Sequence, residues 1–199
     1  MRSAFDRLIS WTGLALAAVL LMAGGLLTWA NTFIDNQVHD QLSMQGITMP
    51  EGEALASLPK ADADALEEYA GSALDTGPEA RAFADHYILV HMNASSDGQT
   101  YEEVSGQFIA LSDEDKATPD GQALGQLRQT LFMGNTLRGL LLYGYAFATM
   151  GTIAGIAAIG SFAGGGVLLV LVGLGLWHAR KVGQVADRPV GTRAVPQPV

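Results

Sequence analysis

The sequence predicts an all-α membrane protein: two transmembrane helices with a small extracytoplasmic helical domain, the second span being part of a very long helix. Three observations predict it. Only 16% of residues are charged and 49% are hydrophobic, with 24 glycines in 199 residues; soluble domains carry roughly 25% charge. The charge is unevenly placed, with none in the 23 residues 8–30 and none in the 39 residues 139–177. Between these runs, residues 31–138 hold 18 acids and 5 bases, whereas the two ends together hold 6 bases and 2 acids.

Residues 1–7, with Arg2 and Arg7, form a basic start expected in the cytoplasm. Residues 8–30 are long enough for one span, since crossing the hydrocarbon core takes about 20 apolar residues. A cleaved signal peptide is the competing reading, but the run exceeds the usual ~7–15-residue apolar region and no A-x-A site closes it. After the second run come Arg180, Lys181, Arg188 and Arg193. Two basic ends on the cytoplasmic side require an even number of spans. The reading is therefore transmembrane helix 1 at 8–30, an acidic extracytoplasmic helical domain at 31–138, an apolar helical stalk at 139–152, transmembrane helix 2 at 153–178 and a basic cytoplasmic tail at 179–199. Trp29 and Trp177 are placed as interfacial anchors, and 184–199 is expected to be disordered alone.

The middle segment reads as helices. Residues 38–49 extend the first span outward before a turn at Met49-Pro50, and 55–58 end at Pro59. Residues 61–74 have helical composition. Thr76 or Gly77 caps the next helix, with Pro78 at a first helical position. In that helix, Phe83, Tyr87, Val90 and His91 fall on one face. Thr100, with Glu103 three residues on, has the spacing of a capping box, and its helix is expected to reach about Leu111. Residues 112–121 read as a loop. From Gln122 the pattern stays helical to Arg180, with Leu124, Leu127, Leu131, Thr136 and Leu140 as its packing stripe and Arg138 as the last solvated charge before the stalk.

Several chemistries are excluded or disfavoured. A net charge of −9 opposes nucleic-acid binding, which needs a basic surface. Zero cysteine removes disulfides, iron–sulfur clusters and thiol catalysis. His86 and His91 are five apart, about 140° around an α-helix, so they do not share a face as zinc ligands do at i, i+4. His39 is a third imidazole without a spacing partner. No G-x-S-x-G and no 12-residue calcium loop are present. No catalytic, metal or cofactor residues are assigned.

The candidate residues are instead those of an interaction surface. Gly151 and Gly155, and Gly160 and Gly164, are small-xxx-small pairs that let helix backbones approach. Gly24-Gly25 in the first span is a candidate to face them. Tyr143, Tyr145 and Phe147, with Phe162 farther on, add aromatic bulk that a hairpin does not need for itself.

The runs at 76–104 and 131–159, and most of the chain from Leu8 to Arg180, resemble a family of small, uncharacterised actinobacterial two-span membrane proteins. Some of these are labelled aromatic ring-opening dioxygenases of the LigA type. The elements that carry the resemblance are A-D-x-x-I-x-V-H at 84–91, G-x-T-Y-x-E at 98–103 and T-L-R-G-L-L-L at 136–142. The resemblance implies the two-span topology. The dioxygenase label would need an iron site, whose ligand spacing this sequence does not supply.

The expected function is that of a non-catalytic accessory or scaffolding subunit of a larger membrane complex. A respiratory supercomplex is the most specific form of that expectation, by analogy. Its partners would be other integral membrane subunits and the lipid bilayer, with a homo-oligomer as the alternative pairing. An extracytoplasmic sensor or binding module ranks second, although only about 20 residues follow the second span. An enzyme of unknown reaction ranks third.

Overall fold

The computed structural model describes residues 2–186, so the expected disorder of the tail falls largely outside the described residues, as do Arg188 and Arg193. Among the described residues the chain is helical apart from one isolated antiparallel bridge, Thr48 to Ala73. The elements are α1 (Arg2–Ser43), α2 (Gly52–Ala56), α3 (Lys60–Leu66), a 3-10 turn (Glu67–Tyr69), α4 (Gly77–Phe83), a π-helical turn (Ala84–Ile88), α5 (Leu89–Ser96), α6 (Tyr101–Ala110), α7 (Asp113–Lys116) and α8 (Pro119–Ala186). Two helices are long and apolar enough to cross a membrane. Leu8–Ser43 and Pro119–Lys181 each contain an 18-residue stretch with mean hydropathy 2.0 and 2.1, respectively.

The described residues divide into two compact units, 2–29 with 154–186, and Ala30–Ile153. The core of the second unit is apolar and closely filled. Met49, Leu66, Leu74, Leu131, Leu141 and Val104 are its largest fully buried side chains. Met49 and Leu74 come from the turns after α1 and before α4, Leu66 from α3, Val104 from α6, and Leu131 and Leu141 from the N-terminal half of α8, so α8 is the wall on which the short helices pack.

Local chemistry sets the short elements. Thr76 caps α4 and Thr100 caps α6, each in a reciprocal box with Glu79 and Glu103, and Pro78 lies in the first turn of α4. The α6 helix ends at Ala110, close to the expected Leu111. The first helix continues outward to Ser43, and the chain then turns at Gly46, whose φ is +62°.

Three expectations are corrected. The helix expected over 61–74 ends its α part at Leu66 and its 3-10 turn at Tyr69. Gly71 then takes a φ of +73°, which breaks the helix and lets Leu74 donate to Ile47 O. The loop expected over 112–121 contains α7, capped by Ser112, and the start of α8, where Thr118 accepts from Gly121 N–H and Pro119 is the first helical residue.

The expected common face of Phe83, Tyr87 and His91 is present, with the Phe83 and Tyr87 ring centroids 4.8 Å apart and those of Tyr87 and His91 4.4 Å apart. Beside it Ala80, Ala84, Ile88 and Met92 are buried, and His91 faces solvent. The third correction concerns a helix face. On α8 the buried row runs through Leu131 and Leu141, with half-buried Gly134 and Arg138 between them; Thr136 and Leu140 are exposed. At 100° per residue, steps of three and four hold one face, whereas Thr136 and Leu140 lie 140° and 180° around from Leu131.

Candidate functional site

In the unit built from 2–29 and 154–186, the buried side chains are small. Ser10 and Ala17 lie seven residues apart on α1, and Ala158, Val172 and Ala179 fall on the same seven-residue repeat of α8, which Gly165 completes. A seven-residue repeat keeps one face of each helix turned to its neighbour. Close approach follows. A Cβ on Gly13 would lie 2.8 Å from Val172 Cγ2, one on Gly24 3.0 Å from the Phe162 ring, and one on Gly165 3.1 Å from Leu21 Cδ2.

The four candidate glycines fall in different surroundings. A Cβ on Gly164 would meet Leu20 at 3.4 Å, whereas one on Gly160 would meet nothing within 4 Å. Gly155 is half-buried. Gly151, in the other unit, is buried; its carbonyl accepts from Asn31 Nδ2 at 2.9 Å, and a Cβ there would lie 3.1 Å from Ile34 Cγ2. Gly24 meets Phe162, but Gly25 faces open space. Sequence reading by four-residue glycine pairs missed Ser10, Ala17, Ala158 and Gly165. The signal that finds them is the seven-residue spacing of small residues of any type.

The three candidate aromatics also separate. Tyr145 is half-buried and accepts from Arg81 Nη1 at 3.0 Å, with the guanidinium 5.0 Å from its ring centroid. Tyr143 and Phe147 are 66% and 54% exposed. Phe147 lines a groove of about 510 Å³ between the C-terminal part of α1 and α8. Its floor includes Ile34, Val38 and Leu42, and Gln37, Gln41 and Gln45 form a row along one wall. All its lining residues are uncharged.

Asp85 and His86 lie in the π turn, and their side chains are engaged with other elements. Arg138 Nη2 donates to Asp85 Oδ1 at 2.7 Å, and Arg81 Nε stands 3.7 Å from Oδ2. Arg138 is thus not a free solvated charge: its side chain is mostly buried, and its Nε has no hydrogen-bond partner. His86 Nδ1 is 2.8 Å from Asp62 Oδ1, His91 Nδ1 donates to Tyr87 O at 2.8 Å, and His39 Nδ1 is 3.6 Å from Asp75 Oδ2. Arg81, His86, Tyr69, Tyr145 and Glu68 line an open cleft of about 370 Å³. Among the described residues, no three His, Cys, Asp or Glu side chains are grouped to hold a metal ion.

Glu79 is the most heavily hydrogen-bonded carboxylate. Burial pushes its pKa up, but the N–H groups of Asp75 and Thr76 and the hydroxyls of Thr76 and Ser72 outweigh burial and hold it below its ordinary 4.5. It ties the residue 72–76 turn to α4, which is a structural task. No protein-family model matches this chain, and no curated protein or solved structure is significantly similar to it.

Proposed function

We propose that this chain is a two-pass membrane protein with both ends in the cytoplasm, acting as a non-catalytic accessory or scaffolding subunit of a larger membrane complex. The observation that carries the reading is the length of apolar surface on α8. This helix runs unbroken for 68 residues, about 102 Å at 1.5 Å per residue. Its charge-free run, 139–177, covers about 58 Å, whereas a bilayer with its headgroups is about 40–45 Å thick. Exposed large side chains extend along that run, from Leu140, Tyr143 and Phe147 to Ile156, Ile159 and Leu174. Apolar surface beyond the reach of lipid is the mark of a protein contact. The basic ends and the acidic middle give the orientation.

A respiratory supercomplex is the specific complex that the sequence resemblance suggests. The second reading, an extracytoplasmic binding module, is favoured by the cleft beside the π turn, because Tyr145 of α8 lines it and a ligand there would touch the long helix directly.

Two measurements test the main reading. A cysteine at Gln99 should react with an impermeant maleimide in intact cells, and one at Gly183 should not. Purification in mild detergent should give a particle heavier than this chain alone, with other membrane-spanning proteins in fixed ratio. Labelling at both positions would overturn the topology, and a monodisperse single chain would overturn the subunit role.

A further inference from the structure

The geometry points to the groove between the outer part of α1 and α8 as the seat for a membrane-spanning helix of a different protein, one that is apolar, carries hydroxyl or amide side chains, and turns basic where it leaves the bilayer. The inference rests on the accessory-subunit reading and names the surface and the partner's chemistry.

Three observations carry it. The first is where the charges are not. Residues 31–138 hold 18 acids, yet the groove wall facing outward from α1 is Gln37, Gln41 and Gln45, one residue per turn, and the facing wall is Leu140, Phe147 and Met150. These three are 57%, 54% and 57% exposed. Large apolar side chains without charges are the composition of an interface core.

The second observation excludes lipid as the main cover. A Cβ on Gly144 would lie 3.5 Å from Leu42 Cδ2 and one on Gly151 3.1 Å from Ile34 Cγ2, so the α8 wall lies level with residues 34–42 of α1. That stretch of α1 carries Asp35, His39 and Asp40, all exposed. Hydrocarbon deep enough to cover Leu140 and Phe147 would also desolvate those groups, at several kcal/mol for each ion. The groove therefore belongs beyond the hydrocarbon, while the same helix continues as an apolar span. A partner covering both must itself be a long apolar helix that projects from the bilayer.

The third observation chooses between a foreign helix and a second copy. A symmetric pair across this groove would bring two segments of net charge −13 side by side. Screening acts over about 8 Å at physiological salt, so neighbouring faces would repel. A partner with basic residues at its emerging end is attracted instead. Its hydroxyls or amides would pair with the three glutamines, which a purely aliphatic helix would leave desolvated and unsatisfied.

The test uses the full-length chain in its own membranes, with a photo-reactive phenylalanine analogue at Phe147, at exposed Ile159 in the span, or at exposed Glu114 as control. Adducts are resolved by mass and the cross-linked peptide is sequenced. The Phe147 position should yield one protein adduct, absent at Glu114, whose peptide borders an apolar stretch of about 18 residues or more with Lys or Arg at its outer end. Gln41→Leu, a change on an exposed side chain, should reduce that adduct by about tenfold or more, because it leaves the partner's hydroxyl or amide desolvated and without its pair. An adduct at twice the chain mass, a lipid adduct alone, a peptide from a soluble protein, or an adduct insensitive to Gln41→Leu overturns the inference. If Ile159 reaches a membrane protein and Phe147 reaches none, the groove assignment falls while the subunit reading stands. If neither position gives a protein adduct, both fall.

Discussion

The two units of this chain are held together by different means. In residues 30–153 the buried side chains are large: Met49, Leu66, Leu74, Leu131 and Leu141 fill the interior and Val104 completes it. In the unit of residues 2–29 and 154–186 the buried set is Ser10, Ala17, Ala158, Val172 and Ala179, with glycines between them. The unit of residues 30–153, the outer one in the proposed topology, is held by removing apolar area from water, and each large side chain contributes. With the other unit in lipid, as proposed, that drive is missing there, since lipid is as apolar as leucine. What remains is close van der Waals contact, and small residues let backbones come near enough to make it. A leucine is thus an asset in one unit and an obstacle in the seam of the other.

The largest expected effect tests the water-driven half. Leu141→Ala removes a fully buried side chain and should lower the stability of the outer unit by about 2–5 kcal/mol, read as the denaturant midpoint of its helical signal in detergent. Leu140→Ala, one residue earlier but 57% exposed, should change it by less than about 0.5 kcal/mol. Equal losses at both positions would mean that the neighbouring face is also covered within the chain.

The seam gives the converse test. Gly165→Leu forces a side chain against Leu21, 3.1 Å from where its Cβ would begin, and should destabilise the hairpin by about 1–3 kcal/mol. Gly160→Leu meets open space and should leave the hairpin intact. Proximity of paired probes at Trp11 and Leu174, read in nanodiscs, separates the two outcomes. If Gly160→Leu opens the hairpin and Gly165→Leu does not, the seven-residue seam is wrong and the four-residue glycine pair is right.

This contrast also explains how much was legible in the sequence. The all-helical class and the two long apolar helices follow from charge-free length, which needs no knowledge of packing. The capping box of Thr100 with Glu103 was legible because it acts within four residues; that of Thr76 with Glu79 has the same spacing, but only the cap position, at Thr76 or Gly77, was read. The helix faces were harder. The π turn at Ala84–Ile88 has no residue that announces it, although the shared face of Phe83, Tyr87 and His91 was legible from their four-residue spacing. Arg138 was read as solvated because its partner, Asp85, is 53 residues away in the chain. The break after Tyr69 was missed because alanines and acids on both sides favour helix, and Gly71 alone takes the left-handed turn. Of the candidate surface, the exposed aromatics Tyr143 and Phe147 were visible, but the glutamine row opposite them was not. Its meaning depends on the antiparallel level of α1 and α8.

A third prediction concerns the polar fastening of the outer unit. Glu79 accepts hydrogen bonds from Ser72, Asp75 and Thr76, and its pKa is held below 4.5. A carboxyl lowered on folding contributes stability that is fully present above its unfolded pKa and is lost as pH falls through the folded value. The outer unit should therefore weaken on the acid side of 4.5. Glu79→Gln should cost about 1–3 kcal/mol at pH 7 and flatten that acid dependence, measured as unfolding midpoints between neutral and acidic pH. An unchanged acid slope in the variant would assign the dependence to other carboxylates.

The smallest expected effect lies at the periphery of the same unit. Thr100 caps α6, whose Glu103 carboxylate accepts from the Thr100 N–H at 2.7 Å and from its hydroxyl at 2.9 Å. Both residues are exposed, so water can replace much of what is lost. Thr100→Ala should cost about 0.5–2 kcal/mol, and Thr100→Ser, which keeps the hydroxyl, much less. Because α6 buries Val104 against the core, hydrogen exchange should show its first-turn amides opening faster while those of α8 stay protected. A loss well above 2 kcal/mol, or faster exchange in α8, would mean that this cap is coupled to the long helix. This unit would then transmit local changes at its rim to α8, the behaviour a binding module needs and a passive scaffold does not.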